Sequence, residues 1–303
     1  MPDVRAPSVP AIDDVSPLQP LAASDRTLSR ADKRVTRGTH RSLSIERSLL
    51  NAQRVAERVG ISRVANVTGL DHVGLPVVAV YRPNARSIAV SQGKGLDLNA
   101  ATVSGMMEAI ESYCAEHVEL PLRLTSAREL KKRAKVVELP ALPRRSHRDD
   151  DQDRSLLFCE ALELDGGDTV FVPYELVHTN FSLPLPTGSG AFLMSSNGLA
   201  SGNHKLEAIS HGLCELIERD AMALFRAEGG VARHDRRIDP SRIADADCRR
   251  VIALIEAAEL ACGIWEVTSD VGIAAFACVI VDRRENLFRQ LYFATGSGCH
   301  PNR

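Results

Sequence analysis

A stretch of this chain is written twice. Residues 95–111 and 202–218, offset by 107 positions, agree at six of seventeen places: Gly95/Gly202, Ala101/Ala208, Gly105/Gly212, Glu108/Glu215, Ile110/Ile217 and Glu111/Glu218. Ordinary residue frequencies give about one match in such a window. The shared residues are a glycine that ends a loop, a second glycine suited to close packing, and a Glu-x-x-Glu pair. Residues three and four apart stack on one helix face, so each unit presents a row of carboxylates that repel one another. A single such row is an ordinary solvated stripe. Two related loop-helix units predict two walls of one site, with a cation between them.

The second unit is the richer. Its loop holds Ser195, Ser196, Asn197, Gly198, Ser201, Gly202 and Asn203. From Lys205 the apolar residues Leu206, Ile209, Leu213, Leu216, Ile217, Met222 and Leu224 recur at helical spacing. The opposite face carries Glu207, His211, Glu215 and Glu218. In the first unit Ser104, Glu108 and Glu111 share a face, and Lys94 precedes them between two glycines. A lysine in a glycine turn before a helix suits a phosphate, although the pattern is not a P-loop.

The rest of the chain is read around these units. Residues 1–30 are rich in Pro, Ser, Asp and Ala and are expected to be a disordered tail. The basic stretch 30–41 is either solvated or phosphate-facing. Helices are expected over 44–59, 99–119 and 244–260, and strands over 63–67, 77–81, 87–91, 155–164, 169–173, 263–268, 273–281 and 287–294. Residues 125–154, charged and broken by prolines, are expected to form a surface connection. The class is α+β, with antiparallel sheets and helices. A net charge of −2 gives no basic field for nucleic acid. Seven cysteines without a C-x-x-C pair point to reduced, buried thiols. No run is apolar enough to span a membrane, and no export signal is evident, so a cytoplasmic protein is expected.

Carboxylates bind phosphates through Mg²⁺, a hard cation that keeps water positions open for phosphate oxygens. Two opposed Glu-x-x-Glu pairs would clamp a triphosphate through such ions. Zinc fits less well, because His211 is the only imidazole of the cluster and no cysteine joins it. A glycosidase pair needs carboxyls on opposite faces of a sugar, not on one side of a helix.

These residues also carry a family resemblance. The chain resembles the YcaO family through GKG at 93–95, S-x-x-x-E-x-x-E at 104–111, SNGLASGN at 196–203, the run from Glu207 to Asp220, and GSGCHP at 296–301. RGTHRS at 37–42, TGLD at 68–71 and P-V-V-x-x-x-R-P-N at 76–84 resemble the subgroup found beside TfuA-like partner proteins. The resemblance implies a YcaO-like ATP-binding domain over 31–303 that uses ATP and Mg²⁺. It implies phosphorylation of a peptide backbone amide oxygen, leading to a thioamide or an azoline in a ribosomally made peptide or protein. By matching positions, Glu108, Glu111, Glu215 and Glu218 would bind Mg²⁺, while Lys94, Ser104, Asn203, Glu207 and Arg219 would contact ATP. A precursor peptide, a TfuA-like protein and a second copy of the chain are the partners it implies. Alternatives are a non-catalytic docking protein and an accessory factor for ribosomal-protein methylthiolation. Two departures stand out. Ser112 occupies a position where the family often has Arg, and the family continues past GxGxHP into an ATP-contacting helix, so the chain is expected to be truncated at its C-terminus.

Overall fold

The computed structural model describes residues 30–34, 37–145 and 152–283, together with the backbone of 291–297. The expected N-terminal tail, apart from Arg30, and the end of the GSGCHP motif lie outside these residues.

Helix α1, Ile45–Val55, begins where the Ser44 hydroxyl accepts the Arg47 N–H. Strands β1 (Arg63–Asn66), β2 (Val77–Tyr81) and β3 (Val90–Lys94) form an antiparallel sheet in chain order. Helix α2, Leu98–Glu116, is capped by the Asp97 carboxylate and lies on this sheet. Ala52 of α1, Val80 of β2, and Met106 and Ala109 of α2 make the shared core. On α1, Ser48 and Ala52 are buried, whereas Leu50 is half exposed. Small residues let α1 sit close to α2, and that proximity decides which face turns inward.

The described part of the segment expected to be a surface connection, residues 125–145 and 152–154, instead contributes to the core. Strand β4 (Leu122–Ser126) and the short helix α3 (Ala127–Lys131) lead into it. Strands β5 (Ser155–Leu162) and β6 (Thr169–Pro173) complete a second antiparallel sheet in the order β4-β5-β6. Ala127, Leu130, Val136 and Leu139 pack with Leu156, Phe158, Phe171 and Phe192. Charge in this segment is carried by positions between the apolar ones, so composition hid the pattern. The buried Glu175 carboxylate accepts the backbone N–H groups of Gly190, Ala191 and Phe192 at 2.6, 3.0 and 3.0 Å, which pins the chain on its way to the repeated loop.

Helix α4, Lys205–Ala227, is capped by the His204 imidazole, which accepts the Leu206 N–H. Strand β7 (Arg237–Ile238), helix α5 (Ala246–Ala257) and strands β8 (Leu260–Glu266), β9 (Ala275–Asp282) and β10 (Leu291–Ser297) follow. They build a third antiparallel sheet, ordered β10-β9-β8-β7. Ala221, Met222 and Phe225 of α4 pack on Trp265, Ala277 and Val279. Three apolar residues of the α4 pattern, Leu213, Leu216 and Leu224, are nevertheless about 45% exposed. On α5 only Ile255 is buried, and Cys248, expected inside, is exposed. Among the described residues no helix is long and apolar enough to cross a membrane.

One buried ion pair ties α2 to its sheet. Arg82, at the end of β2, donates from Nη2 to Glu116 Oε2 at 2.6 Å and from Nε to the Val59 carbonyl at 3.0 Å. Ser87 donates its backbone N–H to Glu116 Oε1 at 3.1 Å. Both charged residues are almost wholly buried. Glu116→Gln leaves the guanidinium without its countercharge, and removing one member of such a pair costs about 3–5 kcal/mol. Urea denaturation of Glu116→Gln should show that loss, with Leu50→Ala on the exposed side of α1 changing stability by less than about 1 kcal/mol.

Candidate functional site: an acidic cleft between the twinned helices

The repeated glycines have repeated jobs. A Cβ on Gly95 would lie 2.5 Å from the Ala101 nitrogen, and a Cβ on Gly202 would lie 2.8 Å from the Ala208 nitrogen. In both units the loop therefore folds flat onto the first turn of its helix. One helical turn further, a Cβ on Gly212 would stand 2.5 Å from the Gly198 oxygen, and one on Gly105 would stand 3.0 Å from the Gly93 nitrogen. Each helix is drawn against backbone at that point, an approach that only glycine permits.

That packing turns α2 and α4 toward one cleft of about 750 Å³. Ser104, Met107, Glu108 and Glu111 line it from α2, and Glu207, His211, Glu215 and Arg219 line it from α4. Ser196, Leu199 and Ser201 of the second glycine loop contribute a third wall. Six of the nine residues singled out from sequence thus face one space. Asn203 stands one hydrogen bond behind, donating to Glu207 Oε1 at 3.3 Å and to Ser48 Oγ at 3.0 Å. Lys94 lies outside the lining, close enough to Glu108 to favour its ionised form. Glu218 is half-buried and also lies outside the lining.

The acids differ in how they are held. Glu215 accepts the Gly198 N–H at 2.8 Å on one oxygen and Arg219 Nη2 at 2.8 Å on the other. Arg219 also donates to the Asn197 side chain. Glu207 Oε2 accepts the Ser42 N–H at 2.9 Å and its hydroxyl at 2.6 Å. Glu111 has less support. Burial pushes its carboxyl up to about 7, hydrogen bonds from Ser201 offset only part of this, and the charges of Glu108 and Glu215 add to the rise. Burial raises Glu108 as well, against the pull of Lys94. The influence of Glu215 on Glu111 carries across the cleft between the two helices, the two-walled arrangement that the repeat predicts.

Sequence reasoning undervalued the segment at 37–42. Gly38, Thr39, His40, Arg41 and Ser42 form a strap along the cleft. Its start is fastened to α5, where the Arg37 guanidinium grips Asp247 through two 2.6 Å hydrogen bonds. Its end is fastened to Glu207 through Ser42. Arg41 is 13% exposed, its nearest acid is Glu207 at 4.0 Å, and its Nε is buried without a hydrogen-bond partner. Burial lowers the Arg41 pKa, which marks a charge with too little compensation. The signal was present in RGTHRS, but a short basic run does not reveal what it faces.

This donor set suits an anion bridged by a hard cation. Among the described residues no three His, Cys, Asp or Glu side chains converge tightly enough to enclose a metal ion. Mg²⁺ does not need such a cage, since it binds one or two carboxylates and completes its shell with water and phosphate oxygens. The under-compensated Arg41 and the destabilised Glu111 carboxylate each lack the opposite charge, and a metal-bound phosphate carries both. The residues present fit Mg²⁺ with a polyphosphate.

Comparison with known proteins adds a family match, two relatives and two solved structures. The YcaO cyclodehydratase family, described as ATP- and Mg²⁺-binding, matches residues 92–303. A protein encoded in the tfuA 3′ region of Rhizobium leguminosarum bv. trifolii is 37% identical over 249 residues, covering 80% of this chain and 58% of the relative. A protein of Methanothermobacter thermautotrophicus is 34% identical over 226 residues, 74% of this chain and 57% of its own. The chain thus spans somewhat over half the length of these relatives. Among solved structures, a heterocyclase in complex with substrate and cofactor superposes with a TM-score of 0.70 at 20% identity, covering 90% of this chain and 40% of the other. YcaO from Methanopyrus kandleri bound with AMPPCP and Mg²⁺ superposes with a TM-score of 0.68 at 19% identity, covering 89% and 66%. At these identities the superpositions show a shared fold.

The raised Glu111 pKa makes a testable statement about the ligand-free protein. A carboxyl whose folded value exceeds its unfolded one contributes stability that is whole below about 4.5 and is lost as pH rises through about 7. Glu111→Gln should match the wild type at pH 5 and exceed it by about 1–3 kcal/mol at pH 8, read by chemical denaturation at both values.

Proposed function

The chain belongs to the YcaO family, and from that premise we propose that it binds Mg²⁺-ATP in the acidic cleft and activates a peptide backbone amide. The observation that carries this reading is the facing of Glu108 and Glu111 on α2 and Glu215 on α4 across one cleft, beside an under-compensated Arg41. When bound, Mg²⁺-ATP supplies a phosphoryl group that makes an amide oxygen a good leaving group once a nucleophile has added to the carbon.

The residues divide the work. Glu108, Glu111 and Glu215 hold Mg²⁺, with Ser201 and the Gly198 N–H orienting the last two. Glu218 is on the same row as Glu215 and is a fourth candidate by spacing alone. Arg41, Lys94 and Arg219 provide positive charge for phosphate oxygens. Glu207, pinned by Ser42 and Asn203, and Ser104 on the other wall position the nucleotide. A nucleotide and a peptide seated between the two helices and the strap would displace water from the cleft, which would strengthen each charge interaction and protect an activated amide from hydrolysis.

For the product we favour a thioamide over an azoline. The relative from a tfuA 3′ region supports this, because the resembling subgroup pairs with a TfuA-like protein and an external sulfur source. The substrate is then a backbone amide of a ribosomally made peptide or protein.

Titration calorimetry with Mg²⁺-ATP tests the site. Glu111→Ala and Glu215→Ala should each weaken binding by at least about tenfold, and Arg41→Ala by about threefold to tenfold, with the Mg²⁺ dependence lost first in the glutamate variants. Glu218→Ala should weaken binding less than Glu215→Ala. Wild-type protein that takes up no Mg²⁺-ATP would refute the nucleotide reading. Mass analysis of the modified peptide separates the products: a thioamide exchanges one oxygen for sulfur, whereas an azoline loses one water.

A further inference from the structure

Two thiols meet on the four-stranded sheet. Cys262 of β8 and Cys278 of β9 bring their sulfurs to 3.3 Å. In the antiparallel register Cys262 faces Ile280 and Cys278 faces Ile264, so the two are diagonal neighbours. Strand alternation puts both on the side of the sheet that carries Leu260 and Ile280, where Ile255 and Ala258 pack. Trp265, Ala277 and Val279 point the other way, toward α4. Both thiols are half-buried. Their separation exceeds a disulfide bond by only about 1.3 Å, because that bond is about 2.05 Å long.

We propose that Cys262 and Cys278 form a dithiol site that a low-molecular-weight disulfide of the glutathione class oxidises to a reversible cross-strand disulfide. The two sulfurs are unequal. The hydrogen bond that the two sulfurs share holds Cys262 below the usual thiol range, while the same bond and burial push Cys278 up. This assigns the order of events. The Cys262 thiolate attacks one sulfur of the external disulfide, whose S–S bond breaks to release one small thiolate. A bond forms between Cys262 and the retained half. Cys278 then gives up its proton and attacks the Cys262 sulfur, and the second small thiolate leaves. The protein dithiol loses two electrons and two protons, and the small disulfide gains both.

The outcome is a staple between β8 and β9. These strands form the floor on which Ala221, Met222 and Phe225 of α4 rest, in the C-terminal half of the helix whose middle carries Glu215 and Arg219. Intracellular disulfides are more often transient than structural. The inference stands apart from the nucleotide reading and fails or holds without it.

The test uses the full chain, reduced and then treated with glutathione disulfide. Remaining thiols are alkylated and the digest is mapped by mass spectrometry. The expected result is a linked pair of peptides holding Cys262 and Cys278, lighter by two hydrogens and restored by excess thiol. The link should form about tenfold faster than glutathione adducts appear on the exposed Cys114 and Cys248. Cys278→Ser should stop at a glutathione adduct on Cys262, and Cys262→Ser should leave Cys278 alkylated. Full alkylation of both residues in the wild-type protein, or a lasting adduct on Cys262 with no link, overturns the proposal. The wild-type map decides the matter even where a variant fails to fold.

Discussion

Like charges brought together out of water govern this molecule. Two ionised carboxylates across a cleft repel more strongly as the surrounding dielectric falls, and each also loses hydration. The protein meets this cost differently in different places. Glu116 and Glu175 are deeply buried, yet the first takes hydrogen bonds from Arg82 and Ser87, and the second takes three backbone N–H groups. Their acceptor oxygens are engaged, and they serve the scaffold. Among the described residues Glu111 takes hydrogen-bond support from Ser201, and its carboxyl is driven up to about 7. Completeness of pairing, more than depth of burial, distinguishes Glu111 from these two scaffold acids. Arg41 repeats the lesson with the opposite sign, a guanidinium held in place by its neighbours but short of a partner.

The cleft exists because backbone comes unusually close to backbone. Gly93 and Gly105 let α2 sink onto β3, and Gly198 and Gly212 let the second loop lie against α4. The same contact places the Gly198 N–H on the Glu215 carboxylate at 2.8 Å. Packing and site chemistry are therefore one arrangement: a side chain at either glycine would push the loop away and remove a donor from the acid it orients. The proposed phosphoryl chemistry would draw on this kind of preorganisation, because dipoles already aimed at the developing charge need not reorganise when it forms.

Much of this was readable beforehand, for a physical reason. A glycine that must touch backbone tolerates few replacements, and the carboxylates three residues apart fall on one helix face, so the two units share letters in the same register. The helix starts expected at 44, 99 and 244 fall within two residues of those observed, where Ser44, Asp97 and Asp245 cap through their own side chains. The segment after residue 125 was misread because its charged residues dominate its composition, while Leu130, Val136 and Leu139 enter the core singly. The α4 leucines were misread in the other sense, since helical spacing records a possible buried face and not whether anything covers it.

The sequence by itself determined the two loop-helix units, the row of acids on each, the antiparallel α+β class and the family. Those depend on local rules of spacing, capping and backbone freedom. Only the tertiary structure decided that the strap at 37–42 runs along the cleft, that Arg41 stands under-compensated within it, and that Cys262 touches Cys278. Each joins residues far apart in the chain. Charge and burial at such points depend on what arrives from elsewhere, which no local pattern encodes.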